Sequence, residues 1–224
     1  MATGDFRTIK DKQDALVLAA TDIAALIVPY GTELGDVVDN ATGDLLAAPT
    51  GAKSLGEIQK KAGVDLSPDM KTEGIQGYGS RADRRIFVTE ESFEIDLTVQ
   101  EIRAEAYKMF MSLEDEDIEN TAMATRMTKR ASGDVVYYGL ILVAKDLAKD
   151  GEIFPFWKFP KVAVTKKGKM SLAEAAEMGM PLTFTVFEED GEMMEIGLGG
   201  KGWPALREKA GFAAPDAGAG TGGN

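Results

Sequence analysis

Residues 92–101 read SFEIDLTVQE. Phe93, Ile95, Leu97 and Val99 alternate with Glu94, Asp96, Thr98 and Gln100. A period of two places the four apolar side chains on one face of a β-strand and the polar ones on the other. The strand therefore has one face in a core and one acidic or polar face. Upstream, residues 84–89 (RRIFVT) form a second β-prone run, and the glycine-interrupted residues 70–79 are also extended.

Downstream the period changes. Tyr107, Phe110 and Met111 fall at i, i+3 and i+4, which predicts a helix over residues 103–112. Residues 134–145 (DVVYYGLILVAK) are strongly β-prone, and Asp150-Gly151 turns them back toward a strand before Phe159. Lys167-Gly168 and Asp190-Gly191 mark further turns. Strands are expected at 162–164, 182–187 and 192–196. Ser171 and Glu174 fit a capping box with Gly179 as a stop, which predicts a short helix there. At the N-terminal end, residues 1–14 form a polar arm, and 15–20 and 24–30 are short apolar segments. Residues 31–53 make a long loop rich in Gly, Asp, Thr and Ala, and the Gly/Ala-rich residues 213–224 make a flexible tail. The sum is a mainly β domain over residues 1–212, a sandwich or barrel with a flanking α-helix.

The 224-residue chain has 37 acidic against 25 basic residues, a formal charge of −12. An acidic surface repels phosphate, so tight nucleic-acid binding is disfavoured, although a repulsive wall suits DNA in passing. Cys and His are both absent. Thiol nucleophiles, disulfides, thiolate zinc sites and Ser-His-Asp catalysis are excluded within the chain. The six-residue apolar run 15–20, broken by Thr21-Asp22, is too short for a signal core or a membrane span, so a cytoplasmic origin and no membrane partner are expected.

Several clusters admit chemistry. Glu94 and Asp96 share a strand face and suit an acid–base pair, a solvated face or a repulsive wall alike. Arg81, Arg84 and Arg85 form a small basic cluster, open to phosphate, to an intramolecular ion pair, to acids on a neighbouring subunit or simply to solvent. The acidic run 114–117 lacks the spacing of a calcium loop and reads as a solvated connection. Phe154, Phe156, Trp157 and Phe159 have few bases around them, which favours packing over base stacking. Residues 197–202 (GLGGKG) miss the phosphate-loop spacing, and no strand–loop–helix unit is expected there. No cofactor is expected.

The order of segments resembles the major tail tube proteins of long, flexible-tailed bacteriophages. The similar pieces are 25–32 (ALIVPYGT), 54–70 (SLGEIQKKAGVDLSPDM), 73–101, 104–113, 159–165 (FPKVAVT) and 182–189 (LTFTVFEE). Residues 171–178 and the tail depart from the pattern. The resemblance implies a non-enzymatic virion protein whose hexameric rings stack into a hollow tube for genome delivery. It implies homo-oligomeric contacts, partnership with a tape measure protein, a tail terminator and a distal tail protein, and passage of double-stranded DNA without specific binding. Glu94 and Asp96 are then candidates for lumen or inter-ring positions, and Arg81, Arg84 and Arg85 for an inter-subunit cluster. The loop 31–53 and both termini become candidates for ring-to-ring contacts. The alternatives are another tail component (terminator or distal tail protein), a carboxylate-based hydrolase and a soluble binding module.

Overall fold

The computed structural model describes residues 5–79, 81–131, 134–174 and 177–213. The tail assigned to 213–224 lies outside the described residues beyond Ala213. The body is one antiparallel sheet of eight strands. These are β1 (Asp22–Pro29), β2 (Lys53–Ser54), β3 (Val64–Gln76), β4 (Asp83–Val99), β7 (Tyr137–Ala148), β8 (Gly151–Lys167), β9 (Met180–Val186) and β10 (Glu195–Gly199). Strands β5 (Ile118–Asn120) and β6 (Thr125–Met127) form a separate small hairpin. The main order is β2-β1-β7-β8-β9-β4-β3, with β10 on the flank of β8.

The sheet curls because β8 changes neighbour along its length. Its first half pairs with β10 at Phe154–Lys158, and its second half pairs with β9 from Val162 onward. Register shifts between Tyr138 and Leu140, and between Val164 and Lys166, mark irregularities that bend the strand. The segment after β2 then closes the curl. The Leu55 amide donates to Ala25 O of β1 (2.9 Å), the Gln59 amide to Thr98 O of β4 (2.8 Å), and the Gln100 amide to Glu57 O (3.0 Å). The result is the barrel-like enclosure expected from short, turn-separated strands.

Inside it, Ala25, Ile27, Ile95, Leu97, Val99, Leu140, Leu142, Phe159, Val162, Leu182 and Phe184 form one core. The alternation in 92–101 is realised there, with Ile95 and Val99 fully buried. Helix α2 (Ala104–Met111) plugs the enclosure with Ala106, Met109 and Phe110. Of the predicted face only Phe110 is buried; Tyr107 and Met111 pack at its margin.

A second, smaller core lies on the other face of β1, β7 and β8. Val37 and Val38, from the long loop, cover Val28, Ile141 and Phe154. That loop is therefore packed in part. Asp39 Oδ1 accepts the amides of Ala41 (2.8 Å) and Thr42 (2.7 Å), and Asp44 pairs with Lys201 at 2.6 Å. Phe159 and Phe154 belong to the two cores, so the aromatic cluster at 154–159 is chiefly packing.

Three local expectations differ from the structure. Residues 84–89 and 92–101 are one strand. No helix occurs among the described residues of 171–179; Ala175 and Ala176 lie outside them. Glu177 is tied instead by the side-chain amides of Gln59 and Gln100. Beyond β10 a turn and a five-residue helix, α3 (Trp203–Arg207), do follow the glycine-rich 197–202. Packing explains those glycines: a Cβ on Gly200 would lie 2.4 Å from Glu152 O, at a φ of +106°. The N-terminal arm carries a one-turn-and-a-half helix, α1 (Phe6–Lys10), that buries nothing.

Candidate functional site

The hairpin of β3 and β4 outruns the sheet. β9 reaches along β4 only from Val99 to Glu94. Beyond that point β3 is the sole neighbour of β4 among the described residues, and residues 67–76 and 83–91 are all exposed. At about 3.3 Å per residue the exposed part of β4 extends roughly 25–30 Å from the body. A two-stranded ribbon alone in water is marginally stable at best.

Its local geometry explains the apparent break in the sequence pattern. Lys71 pairs with Glu90 while Thr72 pairs with Val88, so Thr89 is an extra residue, a β-bulge. One inserted residue exchanges the faces of everything that follows. The core-facing row Val99, Leu97, Ile95 and Phe93 thus continues through Glu91 and, past the bulge, through the even-numbered Val88 and Ile86. On β3 the same face carries Met70 opposite Glu91, and Thr72 and Gly74 opposite Val88 and Ile86. Exposure is 62% at Ile86, 53% at Val88 and 59% at Met70. The core face of the sheet runs on uncovered and partly apolar, interrupted by Glu91, while the opposite face carries Phe87 and Ile75. On the other face Lys71 and Glu90 form an ion pair at 2.6 Å, which holds the lysine's pKa above its usual value.

At the outer end stand Arg81, Arg84 and Arg85. All three are exposed, and none makes an ion pair among the described residues. The structure so gathers the basic cluster at the hairpin tip.

Glu94 and Asp96 occupy the polar face of the same sheet, nearer the body. Lys166 Nζ donates to both Glu94 oxygens, at 2.7 and 2.8 Å. The hydrogen bonds that Lys166 donates to Glu94 raise the lysine's pKa, against partial desolvation. Asp96 accepts from the Thr183 hydroxyl. Asp65 lies opposite Asp96 on β3, and Thr165 and Thr185 join their hydroxyls at 2.7 Å. Near the body the face is polar and threonine-lined, with Asp65, Glu94, Asp96 and Lys166; farther out it carries Asp69 and the Lys71–Glu90 pair. Glu94 and Asp96 share the face but are each held by a different partner.

A third feature went unread in the sequence. An open groove of about 540 Å³ lies between the start of the long loop and β10, lined by Glu33, Asp36, Lys158, Glu192 and Glu195. Its residues are far apart in the chain, so no local motif announces it. Lys158, nearly buried, donates to Gly35 O (2.9 Å) and pairs with Glu195 (2.5 Å), fixing both walls. The turn carrying Glu192 is pinned by Glu189, which accepts from the Tyr30 hydroxyl (2.6 Å) and Lys161 (2.8 Å).

An uncovered ribbon, a basic tip and an acidic groove make a surface suited to assembly. The sequence matches the family described as Phage tail tube protein over residues 12–195. The chain belongs to that family. Comparison with curated proteins gave no match. Tail tube proteins are structural components of the virion tail that self-assemble into a tube and join other tail components. The hydrolase reading of Glu94 and Asp96 is thereby set aside, because the family is not enzymatic. No helix among the described residues of this tail tube subunit is long and apolar enough to cross a membrane.

Proposed function

We propose that this subunit forms hexameric rings that stack head to tail as the hollow tail tube of a long, flexible-tailed phage, the conduit for its genome. The exposed β3–β4 ribbon carries this reading. A core face that continues for several residues beyond its own core calls for cover from another subunit, and head-to-tail contacts of that kind close into rings or run on as filaments.

On this reading Glu94 and Asp96 stand on a wall facing the lumen or the next ring. Asp65 adds to its negative charge, threonine hydroxyls are uncharged, and the lysine beside them, Lys166, is engaged by Glu94. Phosphate contacts with Lys and Arg dominate affinity for DNA, so such a wall lets duplex DNA slide past. Arg81, Arg84 and Arg85 serve contacts between subunits. The tube would be capped by a tail terminator, started on a distal tail protein and measured by a tape measure protein, with assembly in the host cytoplasm before incorporation into the virion.

Electron microscopy of concentrated protein, with and without a tail-tip initiator complex, tests the proposal. Hollow tubes whose end-on views show sixfold symmetry are expected. Another rotational symmetry would refute the hexamer, and a persistent monomer in the presence of the initiator would refute the tube.

A further inference from the structure

The basic tip and the acidic groove are complementary, and no ion pair joins them within the subunit among the described residues. The tip projects roughly 25–30 Å past the sheet on a paired ribbon. The groove sits on the body, between the loop after β1 and the edge formed by β10. Three arginines at the tip have no ion-pair partner among the described residues. In the groove Glu33, Asp36 and Glu192 likewise make no ion pair among the described residues, while Lys158 is already engaged by Gly35 O and Glu195. In a chain with twelve more acids than bases, three unpaired arginines at one extremity and three unpaired carboxylates around one groove are the natural mates.

We infer that the hairpin tip of one subunit seats Arg81, Arg84 and Arg85 in the groove lined by Glu33, Asp36, Glu192 and Glu195 of a second copy. This rests on the tube reading above and gives it a specific contact. The guanidinium fork matches carboxylates in pairs, which gives the joint direction as well as attraction. The two surfaces differ, so the contact is heterologous and propagates from copy to copy. It also accounts for the rigid walls of the groove: Lys158 holds Gly35 against Glu195, and Lys161 with Tyr30 holds the turn that bears Glu192.

A charge exchange on the full chain tests this. One variant carries Arg81→Glu, Arg84→Glu and Arg85→Glu; the other carries Glu33→Lys, Asp36→Lys and Glu192→Lys. Each alone should raise the concentration needed for tubes by roughly tenfold or more, since attractive pairs become repulsive. An equimolar mixture should recover assembly, because tips of one variant face grooves of the other. The chain contains no cysteine, so Arg84→Cys and Glu192→Cys variants, mixed and oxidised, should also give a disulfide-linked dimer. Failure of both the mixture and the crosslink, with wild-type tubes forming normally, overturns the tip-in-groove contact and leaves the tube reading standing. Wild-type protein that forms no oligomer, alone or with an initiator, overturns both. Duplex DNA retained by the wild type in a gel shift, and released by the arginine reversals, would reassign the tip to nucleic acid and overturn the contact.

Discussion

Replacing Ile86 and Val88 by threonine removes the apolar strip of the ribbon while keeping two β-branched residues in place. Exposure of 62% and 53% means that more than half of each side chain is still in water in the isolated subunit. Full burial of such a side chain contributes about 1.5–3 kcal/mol. The part left to be covered by a neighbouring subunit is then about 1–1.5 kcal/mol at each position, roughly 2–3 kcal/mol together. The ordering cost of docking the ribbon is the same in both proteins, so this difference reaches assembly undiminished. At about 1.4 kcal/mol per tenfold, the concentration at which tubes form should rise roughly 30- to 100-fold. Neither residue packs in the subunit itself, so the melting temperature of the monomer should move by less than about 3 °C. Sedimentation of tubes across a concentration series and differential scanning fluorimetry of dilute monomer read the two quantities. Unchanged tube formation would show that the strip stays in water in the tube. A large fall in monomer melting temperature would show that it is part of the subunit's own core.

Other perturbations act elsewhere. Phe184→Ala empties a fully buried position in the main core and should cost about 3–5 kcal/mol, seen as a fall of roughly 6–20 °C in melting temperature. Gly200→Ala combines a φ of +106° with a Cβ placed 2.4 Å from Glu152 O, and should cost about 3 kcal/mol or more in urea unfolding. Acidification should loosen the long loop and the Glu189 turn. Amide donation from Thr42 and Ala41 holds Asp39 below its usual 3.8, Lys201 does the same for Asp44, and Lys161 holds Glu189 below 4.5. Carboxylates depressed by folding stabilise fully above their ordinary values and lose that contribution as pH falls through the lower folded ones, so melting temperature should drop below about pH 4. Asp39→Asn should lower melting at pH 7 slightly and flatten that acid limb. Glu94→Gln breaks an exposed ion pair with Lys166 and should change stability by less than about 1 kcal/mol; a larger loss in thermal unfolding would mark it as structural.

Much of the fold was legible because burial imposes a period. The alternation from Phe93 to Val99 named the core face of β4, and Asp150-Gly151 and Asp190-Gly191 fall at turns in the structure. The breaks in legibility have local causes. Thr89 shifts the parity of β4 by one, so a single 17-residue strand reads as two short ones. Ser171 and Glu174 carry the local signal of a helix start, yet isolated segments of this length rarely hold a helix without packing. β10 leaves β9 and joins β8 because Gly197 lets the Phe156 ring lie across it, a long-range fit invisible to periodicity. The arginine cluster was visible in sequence, but its position at a tip was not. The acidic groove joins residues near 33 with residues near 192, so it could be seen only after folding.

The closure of the sheet also bears on synthesis. β1 pairs along its whole length with β7, Leu26 opposite Ile141, so more than a hundred residues must leave the ribosome before β1 finds its main neighbour. At about 5–20 residues per second that wait lasts on the order of 6–20 s. Until then the run from Ala24 to Val28 is covered on one edge by just the short β2 segment, and its β7 edge stays open to identical nascent chains. The interval between β1 and β7 therefore leaves that edge open to pairing between chains, and slower translation of residues 30–137 should lower the soluble fraction.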